Sequence, residues 1–283
     1  LISDELMISK EKIELAASIC KVDLKSDLVA EFPELQGVLG GHFAGSQGFE
    51  KEVCQSVSEH YLPVGLYSRV PKNLYSITLS LSDKLDSLVG FFGLNLIPTG
   101  SRDPYALRRY TIALVRLIIE NKIRIKLRSI INYSLTLYKE QGYEFDITKV
   151  LKELNKFILE RLKNYSKEKD IRLDIIESSI LTNDIDELFN GYKKAEILNK
   201  NIKKELGQDV VGIYKRSFSI LNSEINKNKL ELSNSVDTGL FKNDFEKNLY
   251  KKIQEIKKYF LNLENNDDFE QSLKELLKFK QDV

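Results

Sequence analysis

All five prolines of this 283-residue chain fall at or before Pro104, and the 179 residues that follow contain none. Proline costs about 3 kcal/mol inside a helix, because it removes a backbone donor and clashes with the preceding turn. A proline-free stretch of that length admits long helices. Pro33, Pro63, Pro71, Pro98 and Pro104, with nine of the fourteen glycines, divide the first hundred residues into shorter elements joined by turns. Apolar residues at Ile13, Leu15, Ala16, Ile19, Cys20 and Leu24 predict a helix over 11–29. Gly37, Gly40, Gly41, Gly45 and Gly48 predict a turn-rich segment over 36–48. Helices are expected again at 48–61 and 77–89, and one is expected to be capped by Thr99 or Ser101 with Asp103 and Pro104 in its first turn. Beyond Pro104, three-to-four-residue apolar spacing predicts helices at 105–120, 124–141, 147–168, 172–181, 184–199, 212–226, 242–263 and 267–279. Isoleucine is abundant there, but no sustained apolar–polar alternation accompanies it. The predicted fold class is all-α.

With 42% hydrophobic and 30% charged residues the composition is globular, and the length allows one or two domains with substantial cores. No apolar run reaches the roughly 18 residues that a membrane span needs. The most apolar segment, 88–98, is short and is broken by Gly90, Gly93 and Asn95. The chain does not begin with methionine, and Asp4, Glu5, Lys10, Glu11 and Lys12 interrupt any signal-like region, so a piece of a longer polypeptide is expected. Cys20 and Cys54 lack metal-ligand spacing and disulfide density, which fits buried thiols in a reducing cytoplasm. Residues 1–102 carry a charge balance of −4 and residues 103–283 one of +5. A basic second part favours an anionic partner.

Few residues offer catalytic chemistry. Lys21-Val22-Asp23-Leu24 and Ser82-Asp83-Lys84-Leu85 resemble the middle and final signatures of the HD superfamily of metal-dependent phosphohydrolases. That superfamily has histidine where this chain has Val22, and valine cannot ligate a metal. His42 and His60 lie at neither matching position, so Asp23 and Asp83 read as remnants of a degenerate metal site with no metal expected. Asp83 and Asp86 read as solvated carboxylates or salt-bridge partners of Lys84 or Arg102. The glycine-rich run 37–45 lacks the Gly-Lys-Ser/Thr ending of a phosphate loop and reads as a flexible turn. His42 reads as a packed or surface residue, and His60 as a C-terminal dipole partner at a helix end. No serine or cysteine sits in a nucleophile arrangement, so no catalytic residue is assigned.

Nucleic-acid binding has more support. Between Tyr105 and Lys139 stand eight basic residues, among them Arg108, Arg109 and Arg116, against the single acid Glu120. Tyr110, Tyr133 and Tyr138 are interspersed, and helices so decorated can track phosphates and stack on unpaired bases. A second cluster, Tyr214-Lys215-Arg216-Ser217-Phe218-Ser219-Ile220-Leu221, presents Lys215 and Arg216 from a helix whose apolar face is expected to hold Ile213, Ile220 and Leu221.

Several segments in order resemble the beta subunit of the bacterial heterotetrameric glycyl-tRNA synthetase. They are 21–24, Glu31 to Gly37, Glu59-His60-Tyr61-Leu62-Pro63, Ser82 to Gly90 and Leu96 to Arg109, and later 157–162, 174–176, 214–221 and 240–250. At the family's asparagine in the Lys-Arg segment this chain has Ser219. The resemblance implies an HD-like helical domain over 1–140 with a degenerate metal site. It implies next a helical anticodon-binding domain of the arginyl-tRNA-synthetase type over 141–283, truncated at its C-terminus. It further implies a cytoplasmic ligase subunit that binds and positions tRNA(Gly), through Tyr214, Lys215 and Arg216 first and Arg108, Arg109 and Arg116 second. The partner would be the catalytic alpha subunit in an assembly of two alpha and two beta chains, with ATP and Mg2+ bound there and no cofactor in this chain. The alternatives are an HD-type phosphohydrolase and a purely architectural helical subunit.

Overall fold

The computed structural model describes residues 1–180, 185–228, 236–262 and 269–280. The predicted helix ends at 181, 184, 263 and 267 lie outside the described residues. Among the described residues there are helices and turns but no strand, and the only bridge is a short one between Thr99 and Arg102. The all-α expectation holds. The chain divides into two compact units, Leu1–Tyr192 and Lys193–Val283.

The first unit is built from α1 (Ile2–Glu5), α2 (Lys10–Ile19), α3 (Asp27–Glu31), α4 (Val38–Ser46), α5 (Lys51–Glu59), α6 (Leu74–Gly93), α7 (Leu107–Glu120), α8 (Leu127–Glu140), α9 (Ile147–Glu168) and α10 (Leu173–Ser179). Its axis is α6, which packs against α2, α5, α7, α8 and α9. Ile77, Leu81, Leu85, Leu88, Val89 and Phe92 bury one α6 stripe, and Ser76, Thr78 and Ser80 are buried with them. Such burial on several sides marks a helix enclosed by others rather than laid on a surface. Next to it α7 buries nearly every residue from Ala113 to Ile119.

Three local expectations are corrected. The predicted helix at 11–29 is three pieces: α2 ends at Ile19, a 3-10 turn spans Val22–Lys25, and the Ser26 hydroxyl accepts the Leu28 N–H (3.1 Å) to start α3. The helix after Pro104 starts at Leu107, and its cap is Asp103 rather than Thr99 or Ser101. Asp103 carboxylate oxygens accept the backbone N–H groups of Leu107 (2.8 Å) and Arg108 (2.9 Å) from before the helix.

The third correction concerns the glycine-rich run, which is a helix, α4, packed on α5. Gly40 and Gly41 are buried, and a Cβ on Gly41 would lie 2.6 Å from both the Cys54 carbonyl oxygen and the Ser58 Cβ. These glycines let two helices approach closely; only Gly37 (φ 81°) and Gly48 (φ 83°), at the two ends, need positive φ. Helical spacing of small residues looks like a turn signal when composition alone is read.

The second unit holds the end of α11 (Leu188–Asn201), α12 (Glu205–Asn228), α13 (Asp244–Asn262) and α14 (Phe269–Leu276). α14 packs against both α12 and α13. Its interior is thin: Ala195 and Ile256 are buried, but Ile220, Leu221, Leu240 and Phe245 are exposed. The apolar α12 face expected around Ile220 and Leu221 is therefore open rather than packed.

Two glycines of one helix should respond oppositely to the same change. Gly41→Ala should destabilise the protein despite alanine's helix advantage of about 1 kcal/mol, because backbone must move to admit the methyl group. Gly45→Ala, whose nearest neighbour would be the Cys54 Sγ at 3.8 Å, should stabilise by about 0.5–1 kcal/mol. Urea unfolding of the two variants reads both signs.

Candidate functional site

The residues that resemble a degenerate metal site converge where α5 meets α6. Along α6, Ser80, Asp83 and Lys84 share a face by their spacing of three and four. The Lys84 side chain is buried, and its ammonium donates to the carbonyls of His60 (3.1 Å), Tyr61 (3.3 Å) and Leu62 (3.4 Å) and to the Ser80 hydroxyl (2.8 Å). Ser80 in turn donates to the Leu62 carbonyl at 2.6 Å. Burial pulls the Lys84 ammonium down to about 8, with Asp83 opposing that fall and Lys21 adding to it. At neutral pH it still carries its charge.

Lys21 supplies a second cation to the cluster. Its ammonium lies 2.7 Å from Asp83 Oδ1, 3.3 Å from His60 Nε2 and 4.3 Å from the centre of the Tyr61 ring. Burial would lower the Lys21 ammonium, but the hydrogen bond and charge of Asp83 outweigh that and hold it above its ordinary value. His60 is fully buried, with Nδ1 2.6 Å from the Val57 carbonyl oxygen. Nδ1 therefore carries the proton, and the Nε2 lone pair faces the Lys21 ammonium. Burial first, helped by the Lys21 charge, pushes His60 down to about 4 against the raising effect of the Val57 carbonyl. His60 is therefore neutral at physiological pH. It serves the C-terminal end of α5, as its reading as a dipole partner expects, but as a neutral ring whose Nδ1–H donates a hydrogen bond to the Val57 carbonyl.

The carboxylates have corrected partners as well. Asp83 pairs with Lys21, not with Lys84 or Arg102. Burial raises the Asp86 carboxyl, and the Tyr138 hydroxyl donates to the Asp86 main-chain carbonyl at 3.2 Å. Asp23 is buried; its Oδ2 accepts the Gly37 N–H at 2.6 Å, and its Oδ1 has no partner among the described residues. Val22, at the position where the superfamily has histidine, points outward at 59% exposure. Among the described residues no three His, Cys, Asp or Glu side chains converge as metal ligands. An ammonium already sits between Asp83 and His60, so a divalent cation does not fit these donors. The contact of His60 with Lys21 joins residues 39 apart in sequence, and no local pattern announces it.

The basic residues of the first unit are largely engaged in the fold. Arg116 is buried; its Nε pairs with Glu120 (2.7 Å) and its guanidinium donates to the Gly65 carbonyl (2.6 Å). Arg108 donates to the carbonyls of Gly100 (2.6 Å) and Arg102 (3.4 Å), bracing the loop before α7. Arg109 is exposed and has no ion pair or hydrogen bond among the described residues. In the second unit, α12 carries Tyr214 and Phe218 one turn apart. Their rings are 5.6 Å between centroids and 16° from parallel, with Tyr214 63% and Phe218 49% exposed. Lys215 and Arg216 stand beside them, exposed and without a hydrogen-bonded or ionic partner among the described residues. Phe218 is the residue that the sequence analysis missed here. Its spacing of four from Tyr214 was the available signal.

Two measurements test the buried cluster. Replacing Lys84 with methionine leaves several carbonyls without a donor and should cost about 3 kcal/mol in urea unfolding. For His60 the folded value of about 4 lies below the ordinary 6.5, so the unfolded chain binds the proton more tightly. Stability is full above about pH 6.5 and falls as pH drops towards 4, by at most about 3 kcal/mol from this group. His60→Asn should flatten that part of the pH–stability curve relative to the parent.

Residues 1–181 match the family described as Glycyl-tRNA synthetase beta subunit. The chain is 35% identical over 268 residues to the "Glycine--tRNA ligase beta subunit" of Rickettsia typhi, covering 94% of this chain and 38% of that protein. The protein of the same name from Rhodospirillum centenum is 36% identical over 230 residues, covering 81% of this chain and 32% of its own length. That from Syntrophomonas wolfei is 32% identical over 277 residues, covering 96% and 38%. The chain thus spans about a third of the length of the relatives it matches. It belongs to the glycyl-tRNA synthetase beta-subunit family.

Proposed function

We propose that this chain is the tRNA-handling part of the beta subunit of a heterotetrameric glycine–tRNA ligase. In this reading α12 grips tRNA(Gly) and positions it for aminoacylation on a separate alpha subunit, in an assembly of two alpha and two beta chains in the cytoplasm. The observation that carries it is the outer face of α12: a parallel aromatic pair, Tyr214 and Phe218, beside the uncommitted cations Lys215 and Arg216. Cations held clear of carboxylates can neutralise phosphates and release their counterions, which supplies affinity. Exposed ring faces can stack on unpaired bases, each stack contributing about 1–3 kcal/mol. Ser219, next along the helix, is a short donor and acceptor for base edges.

Among Arg108, Arg109 and Arg116 of the first unit, Arg109 is the one left free to meet a phosphate. Arg108 has a smaller role as a brace of its loop, and Arg116 is left out because its guanidinium is committed to Glu120 and Gly65. ATP and Mg2+ belong, in this reading, to the alpha subunit, and this chain contributes binding and orientation rather than bond-making. The degenerate cluster at Lys21, Asp23, His60 and Asp83 argues against the phosphohydrolase reading, because an ammonium takes the position a metal would need.

The test uses the full-length beta subunit assembled with its alpha subunit. Lys215→Ala with Arg216→Ala should weaken tRNA(Gly) binding and reduce the slope of log affinity against log salt by about 1.5, at roughly 0.7–0.9 per phosphate contact. Arg116→Met should leave that slope unchanged. An unaltered slope in the double variant would remove α12 from the RNA contact and leave the architectural reading in its place.

A further inference from the structure

We propose that the segment from Val22 to Val38 is a docking surface for the companion alpha subunit, taking a patch of aliphatic or aromatic side chains ringed by lysine and arginine. This rests on the reading of the chain as part of a two-component ligase. Val22, Leu24, Leu28, Phe32 and Val38 are each between 42% and 59% exposed, five large apolar side chains within seventeen residues. Leu28 and Phe32 are one turn apart at the end of α3 and so lie on one face. α3 packs against the 3-10 turns on either side of it, and the first of these packs on α4, so the five residues stand on adjoining elements. Exposed single apolar residues are ordinary; a run of them on packed elements marks an interaction site.

The segment is held rigidly from within. Asp23, between the outward-facing Val22 and Leu24, is buried and accepts the Gly37 N–H at 2.6 Å, tying the turn at 22–25 to the start of α4. Val29, on the opposite side of α3 from its exposed face, is buried. A surface ordered before it meets its partner loses little conformational entropy on binding.

Charge selects the occupant. Asp27, Glu31 and Glu34 are exposed among the apolar residues, and Lys25 is the only cation between Val22 and Val38. An acidic rim repels phosphates, which excludes RNA and an anionic bilayer from this face. A second copy docking by two-fold symmetry would set the same acidic rim against itself, which like-charge repulsion disfavours. A protein surface with an apolar centre and a basic rim satisfies both features.

The experiment measures association of the full-length beta subunit with its alpha subunit by calorimetry and by stopped-flow kinetics at several salt concentrations. Leu28→Lys with Phe32→Lys should weaken association at least tenfold while leaving thermal unfolding of the beta subunit unchanged. Asp27→Lys with Glu31→Lys should slow association and remove most of its salt dependence, since rim charges act mainly on the encounter rate. Normal affinity in the first double variant with an unchanged association rate and salt dependence in the second would overturn the proposal while the two-component reading stands. Self-association of the wild-type beta subunit that the first variant abolishes would assign the face to a second copy and overturn it as well. Protection of a cysteine introduced by Leu28→Cys from a thiol reagent in the beta subunit alone would assign the face to another segment of the same chain, with the same result. Failure of the wild-type subunits to associate at all would overturn the two-component reading and this proposal with it.

Discussion

The buried ammonium of Lys84 is the interaction on which the first unit depends. The chain leaves α5 at Glu59, and the carbonyls of His60, Tyr61 and Leu62 then fall inside the protein with no helix to pair them. Buried backbone oxygens need donors, and each one left unpaired costs on the order of 1–3 kcal/mol. A lysine carries three donors on one atom, and Ser80 carries the pattern one step further by accepting from Lys84 and donating to Leu62. Taking the ammonium out of water is expensive, which is why burial lowers its proton affinity. The carbonyl dipoles at the end of α5 and the nearby Asp83 carboxylate offset that cost. Once α5 is fixed against α6 in this way, His60 and Tyr61 have only one place to be, and Lys21 closes over them.

The two units use their positive charges differently. In the first, Arg116, Arg108, Lys84 and Lys21 are each directed at a carbonyl or carboxylate of the same unit. Such cations hold loops and helix ends and leave little field outside. In the second unit Lys215 and Arg216 project from a helix beside exposed rings. A count of basic residues would rank the stretch from Tyr105 to Lys139 above the stretch at 214–216, because it has more of them. Commitment reverses the ranking. The charge balance of the whole chain, +1, conceals the same distinction.

The all-α class and most helix positions beyond Pro104 were legible in the sequence, since apolar spacing of three to four over ten or more residues has few other readings. The helix boundaries before Pro104 were less so. The glycines of α4 were read as turns because composition cannot separate a glycine that bends the chain from one that lets a neighbour approach. Gly41 beside the Cys54 carbonyl is of the second kind. Asp83 was legible as a charged group but not as the partner of Lys21, because that pair forms across elements. His60 was placed correctly at a helix end, yet its neutrality follows from burial that only packing reveals. Ile220 and Leu221 were expected inside on helical spacing alone, and that periodicity does not say whether anything covers the face it defines.

The cluster at Lys21, His60 and Asp83 shows how a set of ligand-like groups becomes a structural joint. A divalent ion bound by a carboxylate and an imidazole is exchangeable; it leaves with chelation or acid, and the ligands then relax. An ammonium tethered to the backbone at Lys21 cannot leave, and at 2.7 Å from Asp83 and 3.3 Å from His60 Nε2 it satisfies the same two acceptors. It also fixes the imidazole in one tautomer, because the Nε2 lone pair must face the cation while Nδ1 donates to Val57. A neutral histidine so held cannot act as an acid near neutral pH, and its one free lone pair is already engaged by the Lys21 ammonium. The arrangement that makes the joint permanent also removes the proton chemistry that a hydrolytic site would need. What the cluster retains is position: it holds α2, α5 and α6 together and leaves the exposed segment beginning at Val22 on a fixed base.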